Sequence, residues 1–374
     1  MTDKESATIS LLSSKLESLK GFDLNMIIGV DGFVDEIIHV VDKRQDFNNF
    51  MRVGYIEELG NRIVKAAGLS ANIEFVVQQT KLGGNGPIYS NALIEYGVRL
   101  TYIGAIGLPD IHPVFKPMAD RAAAVYPLCE PGHTDALEFT DGKLMLGKYS
   151  GLSAIDWERF KEVLGGVDKI AEMIKQCHLF GMENWTMVPN MSGLWEGLIN
   201  EVFPLLPDKD VKPVAFFDLA DPEKRTKADI LNAMALIGRF ESKFRTILGL
   251  NEKELYEIAD VFGVREESLK ASTEAVYKKL GIYCLVVHPT KKAVCMVDGE
   301  YYQADGPFCA RPKLTTGAGD NFNAGFCLAQ SLGLDPESSL LLGVATSGYY
   351  VRNAKSPAFD DLLKFLRDWR SGNI

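Results

Sequence analysis

The chain has 374 residues, 47% hydrophobic and 24% charged, enough apolar material for a sizeable core and far from the composition of a disordered protein. Its length fits one large α/β domain with an appendage as readily as two domains. A net charge of −10 argues against nucleic acid or an anionic membrane as partner, because either requires a basic surface.

The first twenty residues mix both signs of charge and lack the continuous apolar stretch of a signal peptide. Ile9, Leu12, Leu16 and Leu19 recur at helical spacing and predict a short amphipathic helix ending near Gly21. Strand-like runs then follow at 25–30 (NMIIGV), 100–107 (LTYIGAIG), 178–182 (HLFGM), 213–219 (PVAFFDL) and 283–288 (YCLVVH), separated by helix-like text. Continuous apolar runs suit strands covered on both faces, so the pattern predicts an α/β protein with a mostly parallel sheet. Two regions break the rhythm. Residues 32–48 and 72–81 carry β-like text around a helix-like GYIEELGNRIVKAAG, and 135–149 reads as a hairpin turning at Asp141-Gly142. These segments predict a small sheet inserted over one edge of the main one, within a single domain spanning 1–374. No run approaches eighteen apolar residues, so no transmembrane helix is expected. The six cysteines include no C-x-x-C pair and read as buried reduced thiols, which predicts a cytoplasmic location.

Residues 314–326, LTTGAGDNFNAGF, carry the strongest chemistry. Gly317 and Gly319 allow a tight turn, and NFNAGFCLAQSLG continues as a helix. The first turn of a helix offers unpaired N–H donors and a partial positive charge, which together favour an anion. With a phosphoryl group there, Asp320 stands where it can take the proton of an attacking hydroxyl. The alternative is that Asp320 only stabilises its own helix start. The glycines do not match G-x-G-x-x-G, since Phe322 takes the third place, and no G-x-x-x-x-G-K-[ST] occurs.

TTGAGDNFNAGF resembles the carboxy-terminal signature of the ribokinase-like, or PfkB-type, carbohydrate kinases. Further landmarks follow the family's order: GVDGFVDEI at 29–37 resembles the sugar-contacting segment, KLGGNGPIYSNALIEYG at 81–97 the double-glycine motif, and NEKE at 251–254 the Asn-x-x-Glu motif. ALEFTDGKLML at 136–146 resembles the second lid hairpin, so the likeness spans most of 25–357. It implies a three-layer fold with a β-sheet lid and a magnesium-dependent kinase passing a phosphoryl group from ATP to a sugar hydroxyl. Asp320 is then the base, and the N–H groups of Gly317, Ala318 and Gly319 an anion hole. Asp35 first, and Asp31 second, would hold sugar hydroxyls together with Gly83, Gly84 and Asn85. Asn251 and Glu254 would act through the water shell of magnesium, with Thr316 and His288 near the nucleotide.

Each of these residues also has a structural reading. Asn251 and Glu254 fit a capping box, Asp31 and Asp35 fit solvated loop acids, Gly83 and Gly84 an ordinary turn into a helix that Pro87 can start, and His288 a structural histidine. The sequence also departs from the family pattern. Leu314 stands where an aspartate is common, Ile88 where an asparagine is common, and HPTKKA at 288–293 replaces a Thr-Leu-Gly-like phosphate turn. Nucleoside kinase, ADP-dependent sugar kinase and a non-catalytic binding homologue therefore stay open beside an ATP-dependent sugar kinase. Lid strands with exposed edges add dimerisation through the lid as an expectation.

Overall fold

The computed structural model describes residues 3–374. The described residues form fourteen strands: β1 (Asn25–Val30), β2 (Phe33–Arg44), β3 (Phe50–Arg52), β4 (Phe75–Gly83), β5 (Arg99–Gly104), β6 (Ala124–Pro127), β7 (Gly132–Glu138), β8 (Lys143–Lys148), β9 (Leu179–Met182), β10 (Val214–Asp218), β11 (Arg245–Leu250), β12 (Cys284–Val287), β13 (Lys292–Val297) and β14 (Glu300–Asp305). Nine of them make one sheet in the order β14-β13-β12-β11-β10-β9-β1-β5-β6. From β12 to β6 all neighbours are parallel, and only β13 and β14 run antiparallel at one edge.

Burial on both faces explains the continuous apolar runs. In β10, Ala215 and Phe217 join the core on one side of the sheet, while Val214 and Phe216 join the core on the other. Each such phenylalanine contributes about 1.5–3 kcal/mol on leaving water. The first helix, Asp3–Ser18, packs Ile9, Leu12 and Leu16 into the second of these cores. Five of the six cysteines are buried and all six are free thiols. No described helix is long and apolar enough to cross a membrane.

The remaining strands form a second, five-stranded sheet. The twelve-residue β2 is its centre, pairing with β4 antiparallel, with β7 parallel and, from Val41 onward, with β3 antiparallel. β7 and β8 form the predicted hairpin, closed by the Phe139 N–H donating to the Gly142 carbonyl at 2.9 Å. Leu59, on the helix Ile56–Lys65, packs with Ile38, Val40, Leu137 and Phe139 in a small core of its own.

The position of the site follows from the parallel strands. At their carboxyl ends the chain presents Asp31 after β1, Glu183 after β9, Asp218 as the last residue of β10, Asn251 after β11 and His288 after β12. Those five strands are adjacent in the sheet, so five polar residues stand in a row along one edge. This edge is where open α/β sheets bind ligands.

Candidate active site

Two helices begin at this edge. The helix Asn85–Glu95 starts from Gly84, whose φ is +94°. Asp31 closes its N-terminus by accepting from the N–H of Asn85 at 3.0 Å and of Gly86 at 2.9 Å. The Asn184 side-chain amide donates a third hydrogen bond to Asp31 at 2.8 Å. Asp31 is fully buried, and burial pushes its carboxyl up to about 6 against the opposing pull of these donors. The double glycine has a steric reason. A Cβ at Gly84 would lie 2.9 Å from the Asp31 carboxylate, and one at Gly83 would overlap the carboxyl group of Asp35.

The helix Ala318–Ser331 starts from Gly317, in the left-handed region at φ +90°. No side chain caps it, and Asp320 sits in the first turn rather than at the cap. The Ala318 N–H donates to the Thr315 carbonyl at 3.1 Å. Among the described residues no acceptor faces the N–H groups of Gly317 or Gly319, so two of the three expected anion-hole donors are open. A Cβ at Gly317 would stand 2.8 Å from the Tyr350 hydroxyl, which itself donates to the Thr316 carbonyl at 2.8 Å.

Asp320 is buried and accepts a 3.0 Å hydrogen bond from the Asn85 side-chain amide. Its carboxyl is pushed up to about 8, first by burial and next by the charge of Asp31, while Asn85 opposes the rise. The same amide reaches Asp218 at 3.5 Å, and Asp218 also accepts from Asn323 at 3.1 Å. Behind them Glu183 is fully buried with neither oxygen hydrogen-bonded. Burial, reinforced by the neighbouring acids, holds Asp218 and Glu183 well above the carboxylate range.

Asn251 and Glu254 form a capping box at the helix Glu252–Phe262. Asn251 Oδ1 accepts from the Glu254 N–H at 3.0 Å, and Glu254 accepts from the Asn251 N–H at 2.8 Å. The other Glu254 oxygen accepts from the Asp221 N–H at 3.0 Å. Burial raises the Glu254 carboxyl. His288 packs on Phe322 with ring centroids 5.0 Å apart, and burial lowers its imidazole to about 4, which leaves it neutral.

Two of the hollows that border the Thr315–Asp320 turn carry the expected site residues. A cleft of about 410 Å³ is lined by Asp35, Asn85, Asn251, Glu254, Gly317 and Asp320, with Thr316, Gly84 and Asn184 also on its wall. A cavity of about 300 Å³ on the other side is lined by His288, Phe308, Phe322, Val344, Ala318 and Gly319. Asp35 lies in the cleft beside Thr134, whose hydroxyl hydrogen-bonds it, and opposite Lys81 in the β2–β4 register. Burial raises its carboxyl, and Lys81 and Thr134 pull it back. Asp31 and Gly83 line neither hollow. Glu183, Asn184, Asp218 and Lys224 were not singled out from the sequence. The signal available for the first three was a polar residue at or just past the end of a strand-like run.

Residues 12–369 match the family model of prokaryotic ketohexokinase. A ketohexokinase from Haloferax volcanii is 28% identical over 342 residues, covering 91% of this chain and 90% of the relative. Among solved structures, ribokinase of Arabidopsis thaliana complexed with ribose and ATP superposes with a TM-score of 0.62 at 17% identity, covering 92% of this chain and 98% of the other. A phosphofructokinase-2 variant of Escherichia coli gives 0.63 at 13% identity, covering 93% and 99%. A ribokinase-like fold and a family match over nearly all of the sequence identify this carbohydrate kinase as a member of the prokaryotic ketohexokinase family.

Proposed function

We propose that the chain transfers the γ-phosphoryl group of ATP to a hydroxyl of a ketohexose, with Asp320 as general base. The observation that carries this reading is the Thr315–Asp320 turn, a common wall between two hollows that leaves N–H groups open. The apolar cavity suits a nucleobase, and the polar cleft, with Asp35, Thr134, Asn85 and Asn184, suits a polyol. The ketohexose is suggested by the Haloferax volcanii relative.

In the step proposed, the acceptor oxygen bonds to the γ-phosphorus as the bond from phosphorus to the ADP oxygen breaks. Asp320 takes the hydroxyl proton, and the N–H groups of Gly317 and Gly319 meet the charge on the group in flight. Both Glu254 oxygens already accept backbone donors, so Asn251 and Glu254 would hold magnesium through its waters. The oxygen-only donors of this wall fit a hard cation, which supplies charge neutralisation when bound.

The test is a coupled assay with fructose, ribose and adenosine as acceptors, each with ATP and with ADP as donor. Magnesium-dependent turnover of ATP with fructose is expected. Turnover only with ADP would replace the donor, turnover only with adenosine would replace the acceptor class, and silence throughout would refute the reading.

A further inference from the structure

The cleft poses an electrostatic problem for the proposed chemistry. Asp35, Asp221, Glu254 and Asp320 line it, and among the described residues Lys224 is the only lysine or arginine that does. A triphosphate beside these acids, and beside an Asp320 that must be ionised to act as base, brings like charges together, and magnesium meets only part of the need for compensation.

The segment carrying Lys224 is built with unusual firmness. Ala220 and Asp221, two and three residues past the end of β10, both take left-handed backbone conformations at φ +57° and +60°. Non-glycine residues hold such conformations only where surroundings enforce them. Here the Asp221 N–H is held by Glu254, and four residues further on Arg225 straps the loop down. Its guanidinium donates to the carbonyls of Thr186 at 3.0 Å, Trp185 at 3.1 Å and Val188 at 2.9 Å, and lies over the Trp185 ring at 4.9 Å. Lys224 itself is spared any firm partner. Its ammonium is 3.6 Å from Asp221, whereas the neighbouring Lys253 is engaged by Glu223 at 2.7 Å and Glu257 at 3.3 Å.

We infer that Lys224 is a further catalytic residue: its ammonium contacts the phosphoryl group in transfer, and Arg225 is the positioning residue that aims it. The inference rests on the kinase reading above. The charge that builds on the equatorial oxygens of the transferred group is met on one side by the Gly317 and Gly319 N–H groups and on the other by Lys224.

The test uses the full chain with ATP, magnesium and the best acceptor from the assay above. Lys224→Met is expected to lower kcat about 10²-fold, with the sugar KM moving less than about threefold and thermal unfolding unchanged. Lys224→Arg keeps the charge and should recover at least about tenfold of that loss. Lys224→Met with wild-type kcat overturns the inference. So does equal inactivity of both variants with a lowered Tm, which would make the residue a structural part of its loop. Calorimetric titration with magnesium and the non-hydrolysable triphosphate AMP-PNP separates this from the broader reading: a wild-type chain that neither turns over nor binds AMP-PNP brings down the kinase assignment and the inference with it. A wild type that does both while Lys224→Met is unaffected brings down the inference alone.

Discussion

Two helix N-termini meet at the carboxyl edge of the main sheet, and they are treated in opposite ways. At Asn85–Glu95 a buried aspartate, Asp31, fills the first turn and satisfies two N–H groups. At Ala318–Ser331 the cap is a bare glycine, the aspartate is displaced to the third helical position, and N–H groups are left unpaired. A helix start that is already filled with a carboxylate belongs to the architecture. One left open beside a buried acid is available for an anionic ligand. Asn85 links the two, because its backbone N–H donates to Asp31 while its side-chain amide donates to Asp320.

The largest expected effect separates the two aspartates by what they support. Asp320→Asn keeps the shape but removes the base, so kcat should fall by about 10²–10⁴ with little change in sugar or nucleotide affinity. Steady-state kinetics measure this. At the open helix, Gly317→Val forces a side chain into the left-handed region against Tyr350 and should cost about 1–3 kcal/mol of stability together with about 10²-fold in kcat/KM. Gly319→Ala should act differently, since its Cβ would point at His288 from 3.2 Å, on the cavity side of the turn. A rise of roughly tenfold in the ATP KM with the sugar KM unchanged is expected, in keeping with a blocked backbone approach. At the filled helix, Asp31→Ala orphans the donors of Asn85, Gly86 and Asn184, and denaturant unfolding should show a loss of about 1–3 kcal/mol.

A pH series sharpens the same contrast. The Asp320 carboxyl is raised to about 8 in the fold, so between the unfolded value near 4 and 8 the folded chain holds a proton that the unfolded chain has lost. Its contribution to stability is therefore full below pH 4 and declines as pH rises through 8. Asp320→Asn has no proton to lose, and its Tm relative to wild type should climb steadily over that window and then level off. The smallest expected effect is in the lid: sugar binding should slow amide exchange in 33–40, 73–80 and 136–147, read by mass spectrometry at saturating fructose.

Much of this was legible in the text of the chain. Five strands of the main sheet, the β7–β8 hairpin and the helix that carries Asp320 announce themselves because both-face burial and turn chemistry leave unmistakable runs. β6, β11, β13 and β14 did not, each for a local reason. β6 is four residues ending in proline, β11 opens on Arg245 and Thr246, β13 starts within a lysine pair that reads as a turn, and β14 is a mostly polar stretch, EYYQAD, with no apolar run. The row from Asp31 to His288 depended on knowing which strands are neighbours, and sheet order is set by long-range packing rather than by local pattern. The different fates of Asp31 and Asp35 were hidden for the same reason. Both follow one apolar strand, yet one turns inward onto a helix start and the other lies in the cleft.

The most direct test of the central claim, that a buried Asp320 at an open helix start is the base, is the pH dependence of kcat/KM for the wild-type enzyme. This quantity reports ionisations of the free enzyme, and a base must be deprotonated to act. The account predicts a rising limb with its midpoint near 8, where Asp320 loses its proton, and no such limb in the residual activity of Asp320→Asn. A wild-type profile flat from pH 5 to 9, or an Asp320→Asn enzyme with the same limb and the same kcat, would contradict it.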